Sequence, residues 1–383
     1  MSRAAARQPL GWAFPDQFLL GLGLALLSIG LVAISSASVG YAEAHYANMW
    51  HHTIRHGVYM SLALSIAIAC YRVPVRFWYR SGWLWLLLSS LLLILVLIPG
   101  IGKDVNGSQR WLALGGFTLQ PSEFAKSAML LYLAGYLVRQ EAVVRERWQG
   151  FLRPLLVLAM VALLLLAEPD FGATVIMLST ALGMLFLAGT RLMHFATILA
   201  LSVVLLAGLI QAAPYRLQRL ISYTDPWADP YGSGFQLIQS LIAFGRGEWL
   251  GVGLGNSVQK LFYLPEAHTD FVFSIWAEET GFVGAFALIA LFLALVMRIF
   301  WVGRTAQQAG DGFAAYLCFG IGLMFSGQAF VNMGVSAGLL PTKGLTLPLI
   351  SYGGTSLICS CALLAMVLRV EAEQRHRAKG RRA

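Results

Sequence analysis

Long apolar stretches alternate with short polar breaks from one end of the chain to the other. The stretches fall at residues 18–36, 55–70, 83–98, 121–138, 152–167, 171–188, 193–212, 271–297, 313–335 and 347–370. Most approach the roughly 20 residues with which an α-helix crosses the hydrocarbon core of a bilayer. None keeps the strict two-residue alternation of a half-buried strand. The pattern predicts an all-α membrane protein with ten transmembrane helices. Arg3 and Arg7 before the first stretch resemble the start of a signal peptide, but that stretch is too long for one. Nine more follow, so it reads as an uncleaved anchor.

Charge then orients the helices. Most of the 27 Lys and Arg occupy alternate breaks, among them Arg72, Arg76, Arg80, Arg139, Arg145, Arg147, Arg191, Arg298 and Arg304, and both ends of the chain. Cytoplasmic segments carry such an excess, which places both termini in the cytoplasm. The expected organisation is a cytoplasmic tail at 1–17, a ten-helix domain at 18–370 and a basic cytoplasmic tail at 371–383. Residues 214–270 then form a large extracytoplasmic loop between helices 7 and 8. The net charge of +9 becomes a signature of topology, not of nucleic-acid binding. The final RHRAKGRR reads first as a stop-transfer flank and second as a contact for anionic membrane lipids. Cys70, Cys318, Cys359 and Cys361 all fall in apolar stretches and are expected to pack as small hydrophobes.

Against this background the acids stand out. YLPEAHTDFVFSIWAEE places Asp270 just before the eighth stretch, with Glu278 and Glu279 inside it. Asp270 reads either as an N-cap or as a general base tuned by its surroundings. For Glu278 and Glu279 the plain reading is a structural ion pair; the functional one is the lining of a wet cavity. QPSEFAKSAM puts Glu123 and Lys126 three apart on one helix face, either neutralising each other or lining a cavity. NGSQRWLALGG offers Arg110 and Trp111, a cation and an aromatic suited to a phosphate and a sugar face. In the large loop, GFQLIQSLIAFG reads as a short amphipathic helix with Phe235, Ile238, Leu241 and Ile242 on its apolar face. GVGLGN reads as a flexible turn, since no strand precedes it as a nucleotide loop requires. In the last outer loop, prolines and glycines forbid regular helix between Gly338 and Pro348, and Lys343 is the one cation. Gly353 and Gly354 would admit a second helix closely. His45, His51, His52 and His56 cluster in the first outer loop, yet no acid completes a metal-site pattern.

Three stretches together carry a family likeness. They are GSQRWLALGGFTLQPSEFAK, the run from YGSGFQLIQSLIAFG to YLPEAHTDF, and the closing NMGVSAGLLPTKGLTLPLISYGGTS. The closing stretch sets Asn332, Gly338, Pro341, Gly344 and the SYGGTS run from Ser351 at the family spacing. The chain resembles the SEDS family (shape, elongation, division and sporulation), in its division branch, with a skeleton the elongation branch shares. The resemblance implies a peptidoglycan glycosyltransferase that polymerises lipid II at the outer face of the bacterial plasma membrane, at the division septum. Its implied partners are a class B penicillin-binding protein that crosslinks the strands and other divisome proteins.

By the same resemblance Asp270 matches an essential outer-loop acid, Trp111 a tryptophan needed for activity, and Glu123 with Lys126 a charged pair facing a central cavity. On chemical grounds Asp270 would act as base on the acceptor 4-OH, and Arg110, Lys126 and Lys343 would contact the departing diphosphate. A divalent cation, Mg or Mn, is compatible with that chemistry, but no ligand cluster requires one and no metal site is assigned. A lipid II flippase or a non-catalytic division scaffold would also use ten spans with interior charges.

Overall fold

The computed structural model describes residues 15–105, 108–115, 117–211, 223–341 and 344–380. Lys343, most of the N-terminal tail and part of the large loop lie outside the described residues. The protein is mostly helical, and each of the ten apolar stretches coincides with a helix. In chain order the long helices are α1 (Gln17–Tyr46), α2 (His51–Arg72), α3 (Val75–Leu97) and α4 (Pro121–Arg139). The short α5 (Glu141–Glu146) precedes α6 (Trp148–Ala167), α7 (Phe171–Leu187) and α8 (Leu192–Gln211). In the large loop lies α9 (Phe235–Gly247), followed by α10 (Val272–Gln308), α11 (Gly312–Ser336) and α12 (Gly354–Gly380). Seven of them are long and apolar enough to cross a membrane, so the chain is a multi-pass membrane protein. Between α3 and α4 the polar break folds into an antiparallel sheet, β1 (Gly102–Val105), β2 (Ser108–Leu114) and β3 (Phe117–Leu119), in the order β1-β2-β3.

Local chemistry sets the helix starts. Asp16 accepts from the Phe18 amide at 3.1 Å, Asp170 from Ala173 at 3.0 Å and Asp311 from Ala314 at 3.3 Å, each capping the helix that follows. Pro121 occupies the first turn of α4, where its missing N–H costs nothing. The most enclosed helices are α4, α11 and α12, while α2 is nearly all periphery. Outward side chains such as Leu156, Leu163 and Phe286 are exposed and apolar, as a lipid-facing surface requires. Gly354 lies directly on the Tyr59 ring of α2, the close approach expected of it.

The eighth and tenth stretches differ from expectation in an informative way. α10 is broken at Gly281, whose φ of 69° and ψ of −167° suit glycine almost alone. The segment from Trp249 to Gly253 wraps into this break, so a Cβ on Gly281 would collide with the Gly251 nitrogen. Val252 and Gly253 donate to the carbonyls of Glu278 and Glu279 at 3.0 and 3.1 Å. Gly251 of GVGLGN therefore serves close backbone contact with a broken helix, where a Cβ would collide with the Glu279 carbonyl oxygen. The tenth stretch begins with non-helical backbone: Leu347, Leu349 and Ile350 are buried in turns, and α12 starts only at Gly354. Hydropathy counted these residues as span, but Pro348 and Gly353 do not sustain a helix there.

The two buried glutamates hold the loop to the break. Glu278 accepts from Ser257 Oγ at 2.5 Å, from the amides of Val258 and Gln259 at 3.1 and 3.3 Å, and pairs with Arg246 at 3.0 Å. Glu279 pairs with Lys260 at 2.8 Å and accepts from Ser36 of α1 at 2.5 Å. Of the two readings for these acids, the geometry is that of structural pairs. α9 forms as expected but is turned: it buries Leu237, Ile238, Ser240 and Ala243 and leaves Ile242 exposed. The Ser240 hydroxyl sets this face, bonding Ser274 and the Ser336 carbonyl at 2.6 Å each. Removing the Lys260 charge leaves Glu279 buried without its cation, a change that typically costs about 3–5 kcal/mol. Lys260→Met should lower the thermal midpoint in detergent, and adding Glu279→Gln should recover most of the loss.

Candidate active site

At the end of the bundle expected to face outward, the starts of four helices gather. The Gln120 amide, at the start of α4, donates to Thr355 Oγ1 of α12 at 3.0 Å. Its side chain reaches Asp170, the cap of α7, at 3.5 Å. Gly172 in the first turn of α7 packs on Leu345, and the neighbouring Gly344 lies against the Asp270 carboxylate, two residues before α10. α4 and α10 have no side-chain cap. Each helix start carries partial positive charge and unsatisfied N–H groups, which together favour an anion in this region.

Asp270 is half-buried here. The cap position of α10 is Phe271, the residue after Asp270. Its amide donates to the Glu266 carbonyl at 3.1 Å, and its own carbonyl accepts from Asn332 Nδ2 at 2.9 Å. Beside it, His268 lies in a ring cluster with Tyr41, His52 and Tyr352, with centroids 5.0–5.7 Å apart. Burial lowers the His268 imidazole below its usual range, with the Glu266 charge opposing, which favours the neutral ring. The histidines of the first outer loop thus belong to an aromatic cluster; Tyr41 stacks on His45 at 4.1 Å and Tyr46 on His51 at 3.9 Å. Among the described residues no group of three or more His, Cys, Asp or Glu could hold a metal.

Glu123 and Lys126 are buried and paired at 2.8 Å, so each satisfies the other. Arg110 and Trp111, adjacent in β2, point to opposite faces because side chains alternate along a strand. Arg110 turns inward, donating Nε to the Glu168 carbonyl at 3.0 Å and Nη2 to the Pro169 carbonyl at 2.6 Å. Trp111 lies across from Lys103 of β1. The sequence pairing of cation and ring is therefore not a spatial one. The clasp uses two of the five N–H donors of the guanidinium. A cavity of about 450 Å³ at the opposite end is lined by Arg298, Trp301 and Arg375. Another of about 620 Å³ opens beside Glu248, Trp249 and Phe282. Asp270 lines neither and stands instead at a partly open surface.

Sequence reading passed over Gln120, Glu168, Asp170, Asn332 and Thr355 as individual residues. The signal for two of them was present: EPD sets two acids around a proline between apolar runs. Glu168 is fully buried, and neither carboxyl oxygen has a hydrogen-bond partner among the described residues. Burial, reinforced by the Asp170 charge and partly offset by Arg110, pushes its carboxyl up to about 8. The native state thus holds a proton that the unfolded chain releases near 4.5, so stability falls as pH rises through this window. Glu168→Gln should match the parent thermal midpoint near pH 5 and exceed it at pH 9.

The model of the FtsW/RodA/SpoVE family, described as cell cycle protein, matches residues 16–376. The chain is 53% identical over 381 residues to the probable peptidoglycan glycosyltransferase FtsW of Nitrosococcus halophilus, covering 99% of this chain and 98% of that one. It is 54% identical over 352 residues to the protein of the same description from Pseudomonas fluorescens, covering 92% and 86%. Among solved structures, a chain from work on the structural coordination of polymerization and crosslinking by a peptidoglycan synthase complex superposes with a TM-score of 0.77. That chain is 32% identical, with 95% of this chain and 99% of the other covered. The rod shape determining protein RodA of Thermus thermophilus superposes with a TM-score of 0.69 at 29% identity, covering 95% and 98%. The chain belongs to the FtsW/RodA/SpoVE family of cell cycle proteins.

Proposed function

We infer that this protein is a peptidoglycan glycosyltransferase that polymerises lipid II, with Asp270 as general base. The glycosyltransferase reading is supported by relatives of nearly the same length described as probable peptidoglycan glycosyltransferase FtsW. The observation that carries the mechanism is the half-buried Asp270 carboxylate, placed against Gly344 and beside the gathered helix starts. In the reaction Asp270 takes the proton of the acceptor 4-OH as that oxygen attacks C1 of the donor sugar. The C1–O bond to the lipid diphosphate breaks, its electron pair leaves with the diphosphate, and the proton passes from Asp270 to solvent. A positioned base of this kind contributes roughly 100- to 10,000-fold.

Positive potential at the helix starts of α4, α7 and α12 stabilises the charge growing on the diphosphate. Arg110 contributes through the donors its carbonyl clasp leaves over, and Lys343, which lies outside the described residues, is a further proposed diphosphate contact. Lys126, paired with Glu123, keeps the interior beneath the site neutral overall, and Trp111 offers a ring to a sugar face. A divalent cation, Mg or Mn, is compatible with this chemistry and is not required by it.

The ten helices cross the inner membrane with both termini in the cytoplasm, which places Asp270 on the side where glycan grows. The likeness to a peptidoglycan synthase complex supports a class B penicillin-binding protein as partner at the septum.

Purified with its transpeptidase partner and supplied with lipid II, the protein should make glycan strands visible on a gel. Asp270→Ala and Asp270→Asn should lose at least about 100-fold in rate while still co-purifying with the partner. Normal polymerisation by either variant would overturn the assignment of the base.

A further inference from the structure

Asn332 lies in the last turns of α11 and is 1% exposed. Its Nδ2 donates twice, to the Asp270 carbonyl at 2.9 Å and to the Leu345 carbonyl at 2.6 Å. Those carbonyls belong to the two irregular segments that flank the base. One is the turn from Glu266 to Phe271 that carries Asp270; the other is the stretch after α11 whose Gly344 touches its carboxylate. The amides of both Asp270 and Phe271 donate to the Glu266 carbonyl, at 3.1 and 3.3 Å, so the turn is closed upon itself.

We propose that Asn332 is a positioning residue that fixes the direction of the Asp270 carboxylate, with Gly344 as the wall against which the carboxylate lies. The proposal rests on the reading of Asp270 as the base. A neutral primary amide suits the task because one nitrogen offers two donors, one for each carbonyl. A lysine would bring an unpaired buried charge, a serine only one donor, and an ionised aspartate none. Asn332 is itself held in place. Its carbonyl accepts from Ser336 Oγ at 2.9 Å, the Ser336 carbonyl accepts from Ser240 at 2.6 Å, and Ser240 bonds Ser274 in the first turn of α10. The amide is thus anchored to α9, α10 and α11 at once. At Gly344, a Cβ would fall 2.8 Å from Asp270 Oδ2 and force the carboxylate to turn.

The test compares Asn332→Asp, Gly344→Ala and Asp270→Ala in lipid II polymerisation by the complex with the transpeptidase, measuring kcat and KM across pH. Misplacing a catalytic group by about 1 Å costs roughly 100-fold. Asn332→Asp should lose about that much in kcat with KM within about twofold of the parent. Its activity relative to the parent at the same pH should rise as pH falls, because a protonated aspartic acid regains one donor. Gly344→Ala should lose kcat in the same way without the acid rescue.

A purely structural Asn332 would instead lower the thermal midpoint and leave the kcat of the folded fraction and its pH profile unchanged, which would overturn the proposal. If Asn332→Asp does not fold, Gly344→Ala decides: an unchanged kcat there also overturns it. Activity lost in Asp270→Ala but kept in both other variants would defeat the positioning role alone, whereas activity kept in Asp270→Ala would defeat the base assignment itself.

Discussion

Backbone that leaves the helical pattern inside a membrane must find its hydrogen-bond partners within the protein, because no water is there to supply them. This constraint organises the molecule. Two segments break the helical rule: the large loop where it wraps Gly281, and the stretch between α11 and α12. Each is met by side chains whose polar atoms stand where a regular helix would have paired its own groups. Glu278 and Glu279 receive the loop, and the Asn332 amide receives the two strands of chain that meet near Asp270.

The acids consequently divide by environment. Three of those sealed in the interior are matched closely: Glu123 by Lys126, Glu279 by Lys260, and Glu278 by Arg246, Ser257 and backbone amides, whereas the buried Glu168 carboxyl has no hydrogen-bond partner among the described residues. Asp270 keeps a partly open carboxylate at a junction of irregular segments and helix starts, which is the environment a proton acceptor for an incoming sugar needs. Rigid surroundings suit that role, because a base is effective only when its direction is set before the substrate arrives.

The helices were legible because hydrophobicity dictates them: each of the ten apolar stretches overlaps a helix, with the start of the tenth lost to the turns around Pro348 and the ends of α1 and α10 running about ten residues beyond the apolar run. The irregular closing loop was equally plain from its prolines and glycines. The sheet at Gly102–Leu119 was not, since its strands are short and its partners are local turns that leave little periodic trace. At the site, Asp270 stood out as a charge beside an apolar run, and the Glu123–Lys126 pair followed from helical spacing. Arg110 and Trp111 misled because adjacency in sequence places strand residues on opposite faces. Asn332 drew notice only as part of a motif, for a neutral amide carries no sign of which distant carbonyls it will meet.

α4 poses a separate question about how the chain is built. It carries Glu123 and Lys126 within its first two turns and is not among the helices apolar enough to cross a membrane by composition alone. A lone acidic or basic side chain near the bilayer centre costs about 2.5–3.5 kcal/mol on insertion scales. Their mutual neutralisation reduces that cost, but much of the helix surface is polar or small and is enclosed by α3, α7, α11 and α12. Lateral release of α4 from the insertion machinery is therefore coupled to the neighbours that enclose it. The enclosure of α4 is thus completed by α11 and α12, which lie far later in the chain than α3 and α7.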